Sequence, residues 1–185
     1  MPKSLRRHSS KDQTGSSLLG SLVEVVLIVG AAFILALIIQ QFVVKPFYIP
    51  SESMEPTLVK GDRVLVNRFE YRFTDPKPGD VVVFHPPISP DEDYIKRVVA
   101  VGGDTVEVKD GSLYVNGVAQ VEPYLKQPFI EGTFPQETVP EGYIFAMGDN
   151  RNRSGDSRVF GPVKLDAILG QGFLVYWPPG KIGGL

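Results

Sequence analysis

The chain has 185 residues, enough for one compact domain and a short appendage, since domains run to roughly 100–200 residues. With 43% hydrophobic and 22% charged residues and a net charge of −2, it can bury a core but lacks the positive excess that neutralises nucleic-acid phosphates. The absence of cysteine, and a histidine complement of His8 and His85 alone, exclude thiol nucleophiles, disulfides and Cys- or His-rich metal sites.

Residues 1–17 are polar, and Lys3, Arg6, Arg7 and Lys11 against Asp12 give 4 − 1 = +3; this composition predicts a disordered tail. From Val25 to Val44 there is no charge, and Gln40 and Gln41 are the strongly polar members. Twenty residues of helix span about 30 Å, the hydrocarbon thickness of a bilayer. The expected anchor is 18–44, with its core at 25–44. A cleavable secretory signal has a shorter apolar region followed by a small-x-small site, whereas this stretch runs into Phe42-Val43-Val44-Lys45-Pro46-Phe47. A buried core helix would carry a polar stripe. The basic tail puts the N-terminus in the cytoplasm and 45–185 on the far side of the membrane by the positive-inside rule.

Beyond the anchor, short apolar runs alternate with Gly, Pro and Asp. Strands are predicted at 63–66, 81–84, 94–101, 105–108, 113–115, 143–147 and 172–177. Asp110-Gly111 and Asn116-Gly117 supply tight hairpin turns. Sixteen prolines and nineteen glycines punctuate these runs, and the fold class expected is mostly β, a compact antiparallel domain behind one transmembrane helix. His85 reads as a strand-end residue before Pro86-Pro87, although any Ser-His-Asp triad would have to use it.

A hydrolase of this composition needs a serine or threonine activated by lysine, or a carboxylate pair. A lysine base must be neutral, and at its ordinary pKa only about one in a thousand is so near pH 7.4. Burial among apolar groups lowers that pKa, so the base belongs in a hydrophobic strand. Lys45, Lys60, Lys77, Lys109, Lys126, Lys164 and Lys181 lie beside turns, prolines or charges; Lys96 lies in Tyr94-Ile95-Lys96-Arg97-Val98-Val99-Ala100-Val101. Strand alternation puts Lys96 on one face with Tyr94 and Val98, and Arg97 on the other with Ile95 and Val99, so that one of the two must face inward or lie at a rim. The nucleophile candidate is Ser53, in Pro50-Ser51-Glu52-Ser53-Met54-Glu55-Pro56-Thr57-Leu58. It lies nine residues past Val44, within about 30 Å of the bilayer even if the linker is fully extended. That position suits a substrate held in the membrane. By themselves, the first stretch reads as an edge strand and the second as a capped turn.

Four boxes in one order carry a resemblance. Ser51-Glu52-Ser53-Met54-Glu55-Pro56-Thr57-Leu58, Gly61-Asp62-Arg63-Val64-Leu65-Val66-Asn67, Asp93-Tyr94-Ile95-Lys96-Arg97-Val98-Val99 with Gly102-Gly103-Asp104, and Gly148 through Arg158 resemble type I signal peptidases of the bacterial kind, over residues 40–180. The resemblance implies a signal-peptidase/LexA-like β domain of the small, single-span form and a Ser-Lys dyad with Ser53 as nucleophile and Lys96 as general base. It implies an oxyanion hole from the Ser53 N–H and the Ser51 hydroxyl, Ser154 orienting Lys96, and Asp156 and Arg158 as scaffold charges. Phe47, Ile49, Met54, Leu58, Tyr94 and Ile95 correspond to shallow apolar pockets for small residues, with core packing as the plain alternative for each.

The implied reaction removes signal peptides from exported preproteins, with membrane lipid as the other partner and no metal, organic cofactor or nucleic acid, at a plasma or thylakoid membrane. Glu52 and Glu55 are expected to face solvent, since inward charges would keep Lys96 protonated. A self-cleaving repressor of the LexA type is disfavoured by the span and by the lack of a helix-turn-helix segment. A catalytically silent, membrane-anchored β binding module is the remaining alternative.

Overall fold

The apolar stretch folds as one helix, α1 (Gln13–Phe42), in the computed structural model, which describes residues 13–185. Gly20–Leu37 is long and apolar enough to cross a membrane, and Val25, Ile28, Phe33 and Leu37 expose apolar surface on every side of it. Two boundaries differ from the sequence reading. Residues 13–17, expected in a disordered tail, are helical, while the rest of that tail lies outside the described residues. At the other end the helix stops at Phe42 and Val44 already belongs to a strand. The cause is local: Pro46 disfavours helical geometry at Lys45 and has no N–H to give, and the β-branched pair Val43-Val44 suits extended backbone.

The chain divides into two units at Gln41/Phe42, and the second holds all the described strands. Its larger sheet runs β1 (Val44–Tyr48), β2 (Arg63–Asn67), β11 (Ile168–Trp177), β3 (Val81–Phe84), β4 (Tyr94–Val101), β9 (Tyr143–Met147) and β10 (Val163–Lys164) side by side, with β12 (Gly183–Gly184) also against β11. A smaller sheet has the order β7 (Val118–Ala119), β6 (Ser112–Val115), β5 (Thr105–Lys109), β8 (Phe134–Thr138). Every described pairing is antiparallel. Asp110-Gly111 and Asn116-Gly117 turn with positive φ at both residues, the geometry that matches the twist of a two-residue hairpin.

Each predicted strand is present. The unpredicted β1 and β8 both contain proline, at Pro46 and Pro135, and both are edge strands, where a missing N–H costs no ladder bond. The uninterrupted Val81-Val82-Val83-Phe84 is explained by burial on both faces. Val81 and Val83 pack with Ile49, Met54, Leu58, Val64, Val66 and Val175, and Val82 and Phe84 with Val98, Ile144, Ala146 and Val163. A third cluster, in which Val99 and Phe145 meet Val106, Val108 and Leu113, joins the two sheets. The neighbouring β4 is therefore enclosed by strands at its sides and apolar side chains above and below. That enclosure decides the environment of its two basic residues.

Candidate active site

Both Lys96 and Arg97 are buried, at 4% and 8% exposure, where alternation required only one of them to be. β4 is a central strand covered on both faces, so neither side chain reaches bulk water freely, although Lys96 borders the cleft described below. The two cations meet this in opposite ways. Arg97 is neutralised: its Nε and Nη2 donate to the two Asp149 carboxylate oxygens at 2.9 and 2.7 Å, and its Nη1 donates to the Gly79 carbonyl at 2.8 Å. Among the described residues, no carboxylate lies within hydrogen-bond reach of Lys96. Its Nζ donates to the Ser53 hydroxyl at 2.8 Å and to its neighbour's carbonyl, Ile95 O, at 2.9 Å. Burial pushes the Lys96 ammonium down from its ordinary 10.5 to about 8, opposed in part by the negative charges of Asp156 and Asp149. With a pKa near 8, about one molecule in five carries a neutral amine at pH 7.4.

The other half of the pair is a turn locked at its base. Met54 and Leu58 are fully buried, and the Leu58 N–H donates to the Met54 carbonyl at 2.9 Å. Asn150 ties the turn from outside: its backbone N–H donates to the Ser53 carbonyl at 3.0 Å and its side-chain amide to the Glu52 carbonyl at 3.1 Å. These bonds hold the Ser53 backbone, leaving its side chain to the amine. The Ser51 hydroxyl lies 3.3 Å from that of Ser53. Gly148 passes so close that an added Cβ would strike both the Ser53 carbonyl and the Ser154 side chain; here glycine is a packing requirement.

A cleft of about 590 Å³ opens at this point, bordered by Ser51, Ser53, Tyr94, Ile95, Lys96 and Arg153. Of the six residues expected to line pockets, Tyr94 and Ile95 reach it. Ile49, Met54 and Leu58 are core, 0–1% exposed, and Ile95 packs against them, so they support the cleft wall from behind. Phe47 packs partly against the same core and borders a separate shallow depression with Tyr48, Arg63 and Tyr176.

Two further expectations meet a different geometry. The Ser154 hydroxyl makes no bond to Lys96; it is buried with no hydrogen-bond partner among the described residues, and the carbonyl of Ile95 takes the second amine proton instead. Glu52 is half exposed and lies 3.5 Å from Arg153, whereas the Glu55 carboxylate is 18% exposed and paired with Lys126. Neither acidic neighbour acts on Lys96; the carboxylates that do are Asp149 and Asp156. Asp156 and Arg158, read as scaffold charges, pair with each other: Arg158 Nε and Nη2 donate to the Asp156 carboxylate at 2.9 and 2.8 Å. Asp156 also accepts the Gly148 N–H at 3.0 Å, which ties the glycine to the start of the short helix α2 (Ser157–Phe160). His85, 3.4 Å from Asp93, is not bonded to Ser53.

The sequence is matched over residues 22–177 by the family described as signal peptidase, peptidase S26. The chain belongs to the signal peptidase family. It is 42% identical to the probable signal peptidase I-1 of Synechocystis over 83% of this chain and 82% of that one. Signal peptidase IB of Staphylococcus aureus is 41% identical, with 85% of this chain and 90% of the relative covered. The thylakoidal processing peptidase 1 of Arabidopsis thaliana chloroplasts is also 41% identical, over 82% of this chain and 47% of the longer relative. This is the bacterial type I signal peptidase group that the four boxes resemble, and its members are proteases. Sequence reasoning missed Thr57, inside the first box, whose hydroxyl donates to Asp149 at 2.5 Å, and, outside the boxes, the pair Glu122 and Tyr124.

Proposed function

We propose that this signal peptidase removes signal peptides from exported preproteins by a Ser53-Lys96 dyad, cutting after small residues of the Ala-x-Ala type. The observation that carries the reading is the 2.8 Å contact between a buried amine and the Ser53 hydroxyl. Neutral Lys96 takes the hydroxyl proton as Ser53 Oγ attacks the scissile carbonyl. The oxyanion is held by the Ser53 N–H and the Ser51 hydroxyl, a contribution of roughly 3–4 kcal/mol per donor. The resulting ammonium gives its proton to the departing amine, releasing the mature protein. Water, deprotonated by the same amine, then attacks the acyl carbonyl, and the ammonium returns that proton to the departing Ser53 Oγ. Each step returns Lys96 to the state it began in, and none calls on a metal or organic cofactor.

Ser154 is the orienting partner in this scheme. A buried hydroxyl without a bond costs about 1–3 kcal/mol, and rotation toward the ammonium formed during turnover would relieve that cost. Tyr94 and Ile95 form the wall that admits only small side chains. Asp156 and Arg158 act as scaffold, holding Gly148 beneath the nucleophile. Helix α1 is the anchor, with the basic tail in the cytoplasm and residues 45–185 on the far side of a plasma or thylakoid membrane, against lipid, where preproteins emerge.

The test uses the full chain in detergent with a preprotein bearing an Ala-x-Ala site. Wild type releases the mature protein, while Ser53→Ala keeps its melting temperature and loses activity by about 10⁴-fold or more. Processing by Ser53→Ala at the wild-type rate would dismiss the dyad.

A further inference from the structure

One feature outside the four boxes converges on the loop that seats the nucleophile. The segment between β7 and β8 crosses to residues 148–152 and lays two side chains there, two positions apart. Glu122 accepts both Nη groups of Arg151, at 2.8 and 2.7 Å, and this ion pair is buried, its side chains 1% and 5% exposed. Arg151 Nε donates to the Gly148 carbonyl at 3.0 Å. Tyr124 donates its hydroxyl to Glu122 at 2.8 Å and places its ring 4.1 Å from the Arg97 guanidinium, the same group that holds Asp149.

Consecutive loop residues are thus gripped through two arginines, Gly148 through Arg151 and Asp149 through Arg97, and Glu122 and Tyr124 set both arginines at once. The next residue, Asn150, bonds the Ser53 carbonyl, and Arg97 is the immediate neighbour of Lys96. The strap therefore touches the chain one residue from the base and reaches the nucleophile through three consecutive loop residues. Burying an ion pair gains little stability over apolar packing of the same volume, because desolvation offsets the attraction. A fixed geometry is what such a pair supplies here.

We propose that Glu122, together with Tyr124, is a positioning residue that sets the Ser53–Lys96 spacing through Arg151 and Arg97. The proposal rests on the dyad reading, and the strap acts without touching substrate.

The experiment compares wild type, Ser53→Ala, Glu122→Gln, Glu122→Asp and the double variant Glu122→Gln/Arg151→Met, as full chains in detergent, well below each melting temperature. Glu122→Gln is expected to lower kcat by about tenfold or more, the scale of sub-ångström misplacement, with KM changed less than about twofold. Its acidic limb of kcat/KM moves to higher pH, because a loosened site readmits water to Lys96. Glu122→Asp recovers most of kcat. The double variant removes both buried charges and regains thermal stability, yet stays slow because Gly148 has lost its guanidinium. If Glu122→Gln melts early but keeps kcat and its pH limb, or if the double variant recovers full kcat, the strap only stabilises and the proposal fails. An active Ser53→Ala in the same series would instead mean that the dyad reading had failed.

Discussion

Replacing Lys96 with methionine is expected to abolish turnover and at the same time stabilise the folded protein. The loss should reach about 10⁴-fold, because no other described side chain is bonded to the Ser53 hydroxyl except Ser51, which cannot act as a base at neutral pH. The gain follows from the environment that makes the lysine useful. A pKa of about 8 in the folded chain against 10.5 for an ordinary lysine means that folding works against the cation. The penalty is on the order of 3 kcal/mol. Methionine has similar volume and no charge, and after allowance for the lost bonds to Ile95 and Ser53 a net stabilisation of about 1–2 kcal/mol is expected. The pH dependence has a definite sign. Because the folded-state pKa is depressed, the penalty is complete below pH 8 and fades as pH rises from 8 to 10.5, where the unfolded chain also loses its proton. The stability difference between wild type and Lys96→Met should therefore shrink over that window. Denaturant unfolding at pH 7 and pH 10 reads it directly; a Met variant less stable than wild type at pH 7 would mean that the amine is not held against its solvation.

Arg97 presents the opposite case. Asp149→Asn leaves a guanidinium that is 10% exposed without its anion, and breaking a buried pair in this way costs about 3–5 kcal/mol. Against a total stability of about 5–15 kcal/mol, the variant should melt some 6–20 °C lower. Thr57 also loses its carboxylate acceptor. Asp149 raises the Lys96 pKa, so the protein that remains folded should show an acidic limb displaced to lower pH. Calorimetry with a pH–rate profile checks both parts; an unchanged melting temperature would show the pair to be dispensable.

The strand plan was readable because hydrophobic runs, Gly-Asp and Asn-Gly turns and proline punctuation are local signals. The edge strands β1 and β8 were not, since their prolines are breakers in a sequence and harmless at a sheet edge. Ser53 and Lys96 stood out for chemical reasons, as a hydroxyl near the anchor and a lysine in an apolar run, with the family boxes joining them. Their contact spans 43 positions and is a property of the folded sheet. Arg97 was legible as a residue sharing the strand but not as a buried one, because its cost is offset by Asp149, 52 residues away. Glu122 and Tyr124 gave no signal: in a stretch of Gln, Glu, Pro and Tyr between short strands, a carboxylate and a ring read as surface. Only the bonds to Arg151 and Arg97 reveal their place. Ile49, Met54 and Leu58 show the converse, residues assigned to a pocket that serve as the packing behind it.

The most direct measurement of the central claim is the pH dependence of kcat/KM for preprotein cleavage by the wild-type chain in detergent, between pH 5 and 11. A catalytic amine held against the Ser53 hydroxyl in a dry strand predicts a rate that rises tenfold per pH unit below a single limb at about 8. A limb at the ordinary lysine value of 10.5, or a rate independent of pH from 6 to 10, would contradict it.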